Sequence, residues 1–334
     1  MGFTEDLLDE IRAEIAPSDI VLAEARERLK LTRKIAERLP GSLRTYASGS
    51  LPQFTVNHPV SDADGGVVLD RRSFPHLGPD GGGEAPSDVV AELCALLGPG
   101  LREFYKNAVC STSKRGPKLY FGAPVEEQDP TVDLVCALTR RSADGLWIPN
   151  LETDTWEASD PEKHVELLNT GSVALLRVRR RVVRLAKAWN KQFVKPGFSS
   201  HNLSLIALEA VTGGENLTDA LAGYFAHAAQ QIAEGDTRDP AGVSKDVPLL
   251  ISRDVAVARL ERAAAALADA LADDDDETAV RSALAKVFWK YVDDPVAPSL
   301  GTTVTGLQSP PITTSMLGLA GPTLPVRPTR AYGG

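Results

Sequence analysis

A chain of 334 residues, 43% hydrophobic and 24% charged, has room for two lobes with sizeable cores; without a bilayer-length apolar run or a signal-peptide pattern, it reads as soluble and cytoplasmic, with no membrane contact. Its formal net charge of −9 argues against constitutive coating of duplex DNA, which needs a dominant basic surface. The three cysteines (Cys94, Cys110 and Cys136) form no C-x-x-C and no Cys/His cluster, a pattern of buried thiols in a reducing compartment and not of a zinc site.

Residues 4–39 read as helical. Thr4 caps a first segment, Pro17 interrupts it, and Ser18 or Asp19 restarts a longer spine helix. Ile20, Leu22, Leu29, Leu31 and Ile35 give that helix apolar surface, and Pro40-Gly41 ends it. A short strand, Leu43 to Ala47, then leads into Gly49-Ser50. A glycine lets backbone approach a phosphate closely, and the Ser50 hydroxyl with neighbouring N–H groups can donate to its oxygens. Next come Asp62-Ala-Asp64 and the apolar Val67-Val68-Leu69. On a strand, residues two apart share a face, so Asp62 and Asp64 lie side by side while Ala63 turns to the core. Two such carboxylates repel unless a divalent cation lies between them, and hard oxygen ligands suit Mg2+.

Residues 75–86 form a Gly/Pro-rich loop, Ser87 caps a helix through Leu97, and helical character resumes from Leu101 to Tyr105. Strands at Val109–Thr112 and Lys118–Phe121 flank a turn whose Lys114 and Arg115 read as solvated. Asp129-Pro-Thr-Val-Asp133-Leu-Val is a strand with an acid among β-formers, costly unless that acid is paired or binds a metal. Asp160 caps a helix that starts at Pro161, and His164 in its first turn reads as a surface residue.

The helix from Ser172 to Phe193 has two faces. Leu175, Val178, Val182, Leu185 and Trp189 pack, while Arg177, Arg180, Arg184, Lys187 and Lys191 form a basic stripe in which Lys187 is the expected phosphate ligand. Gly197 to Asn202 opens an apolar helix, Leu203 to Val211; its free N–H groups beside the Ser199 and Ser200 hydroxyls suit an anion, and ordinary capping by Ser200 or Asn202 reads equally well. Alanine-rich helices follow at 217–234, 253–272 and 278–292, with Asp273–Asp276 as a solvated turn without metal. From Pro295 the chain reads as a flexible tail ending Gly333-Gly334.

One ordered set of motifs carries a family resemblance. It comprises Gly49-Ser50, Asp62-x-Asp64, Thr131-Val-Asp133-Leu-Val, Ile148-Pro-Asn150, Trp156-x-x-Ser159-Asp-Pro-x-x-His164, Arg184-Leu-Ala-Lys187-x-Trp189 and Phe198-Ser-Ser-His201. Together, over residues 1–293, they resemble the cGAS/DncV-like nucleotidyltransferases (CD-NTases) of bacterial CBASS anti-phage defence, which belong to the polymerase-β type. The resemblance implies an α+β, bilobal fold: a catalytic core with a polymerase-β-like mixed sheet and the spine helix over 1–150, a helical lobe over 151–293, and a tail over 294–334. It also implies that Asp62, Asp64 and Asp133 hold two Mg2+ (or Mn2+) ions, and that Gly49, Ser50, Lys187 and a serine of the Ser199–Ser200 pair contact a donor triphosphate such as ATP. His201 would lie near a base, where animal relatives carry tyrosine. The zinc-binding insertion of the animal DNA sensors is absent, so DNA activation is not implied.

The implied activity joins nucleoside triphosphates into a cyclic di- or trinucleotide second messenger, which a downstream effector then binds. Transfer of a nucleotide to one RNA, protein or small-molecule acceptor stays open, as does an inactive nucleotide-binding scaffold, although a scaffold gains nothing from three clustered carboxylates. The diglycine end suits conjugation at Gly334 by the E1/E2-like, ubiquitin-transfer-like partner that some CBASS systems encode.

Overall fold

The computed structural model describes residues 2–79, 82, 85–141 and 143–295. Its first helix, α1 (Phe3–Glu14), stops ahead of Pro17, and α2 (Asp19–Ala36) starts after the extended Ser18. Then come β1 (Ser42–Ser48), the single turn α3 (Ser50–Gln53) and β2 (Asp62–Leu69). A long helix, α4 (Pro86–Arg102), precedes β3 (Val109–Ser113), β4 (Gly116–Tyr120), β5 (Thr131–Thr139), β6 (Leu146–Asn150) and β7 (Thr155–Ser159). The sequence suggests a break near Leu97, yet α4 runs on through Pro99. That proline gives up one backbone bond, and Leu93, Leu97 and Leu101, all buried on one face, hold the helix together across it.

The strands form one mixed sheet in the order β1-β2-β5-β4-β3. β2 and β5 run parallel; the other pairs are antiparallel. β5 is covered on its second side by two neighbours: β4 pairs with Val132 and Asp133, and β6 pairs with Leu138 and Thr139. The central pair reads as a nearly continuous apolar run, Val67-Val68-Leu69 beside Cys136-Ala137-Leu138, because both its faces are buried. Val21, Leu29 and Ile35 of α2 and Val90, Leu93 and Leu97 of α4 share a core with Val132 and Leu134 of β5.

A second core is helical. α5 (Pro161–Leu168), α6 (Val173–Lys191), α7 (Ser200–Ala210), α8 (Leu217–Glu234), α9 (Arg253–Ala272) and α10 (Glu277–Val287) follow the sheet. Trp189, Phe198, Leu203, Phe225, Leu260 and Phe288 anchor their packing. Leu7, Leu8 and Ile11 of α1 lie in this core, and the Thr4 hydroxyl donates to the Ala270 carbonyl at 3.2 Å. The chain therefore begins in the helical lobe, and only α2 serves as the spine behind the sheet. Asp276 caps α10, accepting from Thr278 N and Ala279 N, so part of the acidic run has a structural use. Both cores lie within one compact unit. Among the described residues, no helix is long and apolar enough to cross a membrane.

Arg28 of α2 fixes the spine to the approach of β5. Its side chain is fully buried, pairing with Glu24 and Asp129 and donating to the Ala123 and Pro130 carbonyls. The guanidinium also lies over the Phe121 ring, 4.6 Å from its centroid.

Candidate active site

The parallel register of β2 and β5 sets Asp64 opposite Asp133 and Asp62 opposite Thr131. Ala63 between the first two acids is wholly buried, so the period of two turns both carboxylates away from the core. All three aspartates line a cleft of about 590 Å³. Ser48, Gly49 and Ser50 from the end of β1 form one side of it, and Ser113 to Gly116 from the β3–β4 turn form another. The helical lobe closes the cleft with Pro161 and His164 of α5, Lys187 of α6, and Ser200, His201 and Ser204 of α7.

Gly49 is required here by contact as well as by conformation. Its φ is +68°, and a Cβ at this position would lie 1.9 Å from Asp64 Oδ2. The absence of a side chain lets the Asp64 carboxylate lie against the end of β1.

The acids repel one another. Burial pushes the Asp64 carboxyl up to about 7, helped by the charges of Asp62 and Asp133 and opposed by Lys187 and Lys118. Such a set of hard oxygen donors carrying surplus negative charge fits a divalent cation. Among the described residues, no three metal-ligating side chains already stand close enough to hold one. One Asp133 oxygen is taken by the Lys118 ammonium at 2.7 Å. Burial alone would lower the Lys118 ammonium, but the bond to Asp133 and the charges of Asp133 and Asp62 hold it above its ordinary value. The sequence reading missed Lys118, although its place on the strand paired with Asp133 was the available signal.

Lys187 is buried and donates to the Thr55 carbonyl at 3.1 Å and to the Thr55 hydroxyl at 3.2 Å. Burial lowers its ammonium to about 8, aided by Lys191 and Arg184, while Asp64 and Asp62 oppose the shift. The basic face of α6 is thus solvated only at Arg177 and Lys191, while Lys187 is buried and Arg180 and Arg184 are half-buried. Arg184 donates to Asn57 Oδ1 at 3.0 Å and to the Ile15 carbonyl at 3.1 Å, and Arg180 stacks on Phe54. Beside the main cleft lies a cavity of about 210 Å³, whose lining includes Ser50, Thr55, Asn57, Asp62, Lys187, Lys191 and Ser200.

Of the two serines, Ser200 lines both cavities, whereas Ser199 caps α7, its hydroxyl accepting from Asn202 N at 3.0 Å. His201 lines the cleft; burial depresses its imidazolium to about 4, with the charge of His164 adding and Asp239 opposing. It is therefore neutral near pH 7, with one donor and one acceptor nitrogen. The surface reading of His164 is overturned: it is 5% exposed, its Nε2 lies 2.6 Å from Asp239 Oδ1, and its ring centroid lies 4.8 Å from that of His201. Asp239 is held below the usual carboxylate range despite its burial, by bonds from Ser244 and His164. Lys114 and Arg115, expected in solvent, line the cleft, paired with Glu152 and Glu157. Gly334 lies outside the described residues.

No protein-family model matches the sequence, and no curated protein matches it. Solved structures do. CdnC of Escherichia coli MS115-1, in complex with HORMA-deltaN, superposes with a TM-score of 0.63 at 17% identity, covering 85% of this chain and 96% of that one. The Bradyrhizobium diazoefficiens CD-NTase CdnG, in complex with GTP, gives 0.63 at 15% identity over 85% of this chain and 95% of its own. The Vibrio cholerae cyclic AMP-GMP synthase DncV gives 0.55 at 14% identity over 84% and 94%. The described chain therefore has the CD-NTase fold, a polymerase-β-like mixed sheet joined to a helical lobe.

Proposed function

We propose, for a chain with the fold of the CD-NTases, that it is a metal-dependent nucleotidyltransferase making a cyclic di- or trinucleotide second messenger from nucleoside triphosphates in anti-phage signalling. The observation that carries this reading is the trio Asp62, Asp64 and Asp133 on two adjacent parallel strands, facing Lys187 across one cleft.

Asp62, Asp64 and Asp133 would hold two Mg2+ (or Mn2+) ions, which when bound would neutralise the triphosphate and make an acceptor hydroxyl more acidic. The hydroxyl attacks the α-phosphorus in line, the bond to the bridging oxygen breaks, and pyrophosphate leaves. Lys187, Ser50 and Ser200 bind the triphosphate, whose end extends into the side cavity with Lys191. Asp133 orients the hydroxyl and takes its proton. His201, neutral and bifunctional, meets a base. Repetition and ring closure give the messenger, and only that product meets the effector, within the cytoplasm.

Pyrophosphate release from nucleoside triphosphates with Mg2+ or Mn2+ tests the reading. An inactive scaffold would release none. Transfer to a single acceptor would need that acceptor to be added.

Lys187→Ala should raise the triphosphate KM or lower turnover by one or two orders of magnitude, about 1.5–3 kcal/mol for a lost charge-assisted contact. Lys191→Ala should do much less; equal losses would mean the basic face acts as a diffuse field. The lowered Lys187 also gives a pH-linked signature. With its free value near 8, the amine is about half neutral at pH 8, and a bound triphosphate favours the charged form. Calorimetry at pH 8 in two buffers should therefore record uptake of about half a proton, absent in Lys187→Met.

Conjugation of Gly334 by an activating-enzyme partner rests on the diglycine sequence alone. Adducts formed on co-expression should vanish in Gly334→Glu, and their persistence would refute the assignment.

A further inference from the structure

The Lys118–Asp133 ion pair, read with the metal assignment above, has a consequence for when the site becomes competent. Lys118 and Asp133 are directly opposed across β4 and β5, so the backbone register brings the ammonium to the carboxylate. Their side chains are 28% and 27% exposed, with the ammonium 2.7 Å from Asp133 Oδ2. Surface ion pairs at helical spacing occur elsewhere on this protein, as in Lys30 with Glu27, and such pairs contribute little. This one differs in its company. Among the described residues Asp133 is the carboxylate that pairs with Lys118, and the charge of Asp62 also acts on the ammonium. A positive charge is thus already present beside the acids that a cation would use.

We propose that Lys118 is a built-in counter-ion: it occupies Asp133 in the metal-free enzyme, competes with the divalent cation there, and so sets the metal concentration at which the three carboxylates become a metal site. The physical reason is simple. A metal approaching Asp133 must displace the ammonium from one oxygen and then tolerate its charge nearby. Asp62 and Asp64 carry no ion pair among the described residues, so the cation can reach them first and Asp133 joins last.

The test measures metal binding and needs no turnover. Mn2+ is titrated into the purified full chain without nucleotide, with free Mn2+ followed by electron paramagnetic resonance. Lys118→Met should bind Mn2+ at least fivefold more tightly than the unaltered protein. Lys118→Gln, which keeps a hydrogen-bond donor but not the charge, should do the same and supplies the answer if the methionine variant does not fold. Unchanged or weaker affinity in the folded variants would overturn the proposal; weaker binding would mean that the lysine props Asp133 in its ligating position. If neither the unaltered protein nor the variants bound Mn2+, the metal assignment itself would fall, and the counter-ion role with it.

Discussion

Asp62→Asn combined with Asp64→Asn should abolish nucleotide incorporation, by about a thousandfold or more, in a protein that stays folded. The loss follows from the proposed mechanism: without these carboxylates the metal ions that would neutralise the triphosphate lack their ligands, and a few kcal/mol of transition-state stabilisation goes with them. The fold should survive because the acids are a liability to it. Asp64 is half-buried, and desolvation holds its carboxyl up to about 7, well above its ordinary 3.8. A carboxyl raised in this way binds its proton more tightly in the folded state, so metal-free stability falls as pH rises from about 4 through about 7. At pH 8 the penalty is on the order of 4 kcal/mol, taken as a ceiling. The metal-free double variant should therefore melt no lower than the unaltered protein at pH 8. Retention of a tenth of the turnover would contradict the two-metal assignment.

The second large effect is on stability and lies away from the cleft. Arg28→Met should cost about 3–5 kcal/mol, because it leaves Glu24 and Asp129 without their cation and two carbonyls without their donor inside the protein. Partial exposure of the two acids places the expectation toward the lower end. Urea unfolding at constant slope measures it, and a loss below about 1 kcal/mol would mean that the pair is dispensable. The same contacts hold the segment entering β5, so turnover should fall before the fold is lost.

How much of this was legible in the sequence depended on whether the pattern was local. Asp62, Ala63 and Asp64 follow a strand's period of two, and the fully buried Ala63 obeys it. Lys187 was placed by helical periodicity, which gives direction around an axis but not what lies opposite. The basic face of α6 therefore gave a candidate phosphate ligand but not its neighbours Asn57, Thr55 and Phe54, which wait across from it. Arg28 looked like any arginine on an amphipathic helix, since its partners other than Glu24 lie about a hundred residues away. The His164–Asp239 contact spans 75 residues and has no local signature. Pro17 marked where α1 ends, but no rule of local sequence says which core a helix joins, and α1 packs with the helical lobe.

The central claim, that the cleft joins nucleotides into a ring, is tested most directly by the fate of label. The purified protein is incubated with α-labelled forms of the four nucleoside triphosphates and Mg2+ or Mn2+, and the mixture is then treated with phosphatase. A cyclic product has no terminal phosphate and keeps one phosphate per nucleoside, whereas a linear product is trimmed to one fewer, so the expected result is phosphatase-resistant label in a di- or trinucleotide with one phosphate per nucleoside, absent from reactions of the Asp62→Asn, Asp64→Asn protein. Complete release of label as inorganic phosphate, or label found only on an added acceptor, would contradict the account.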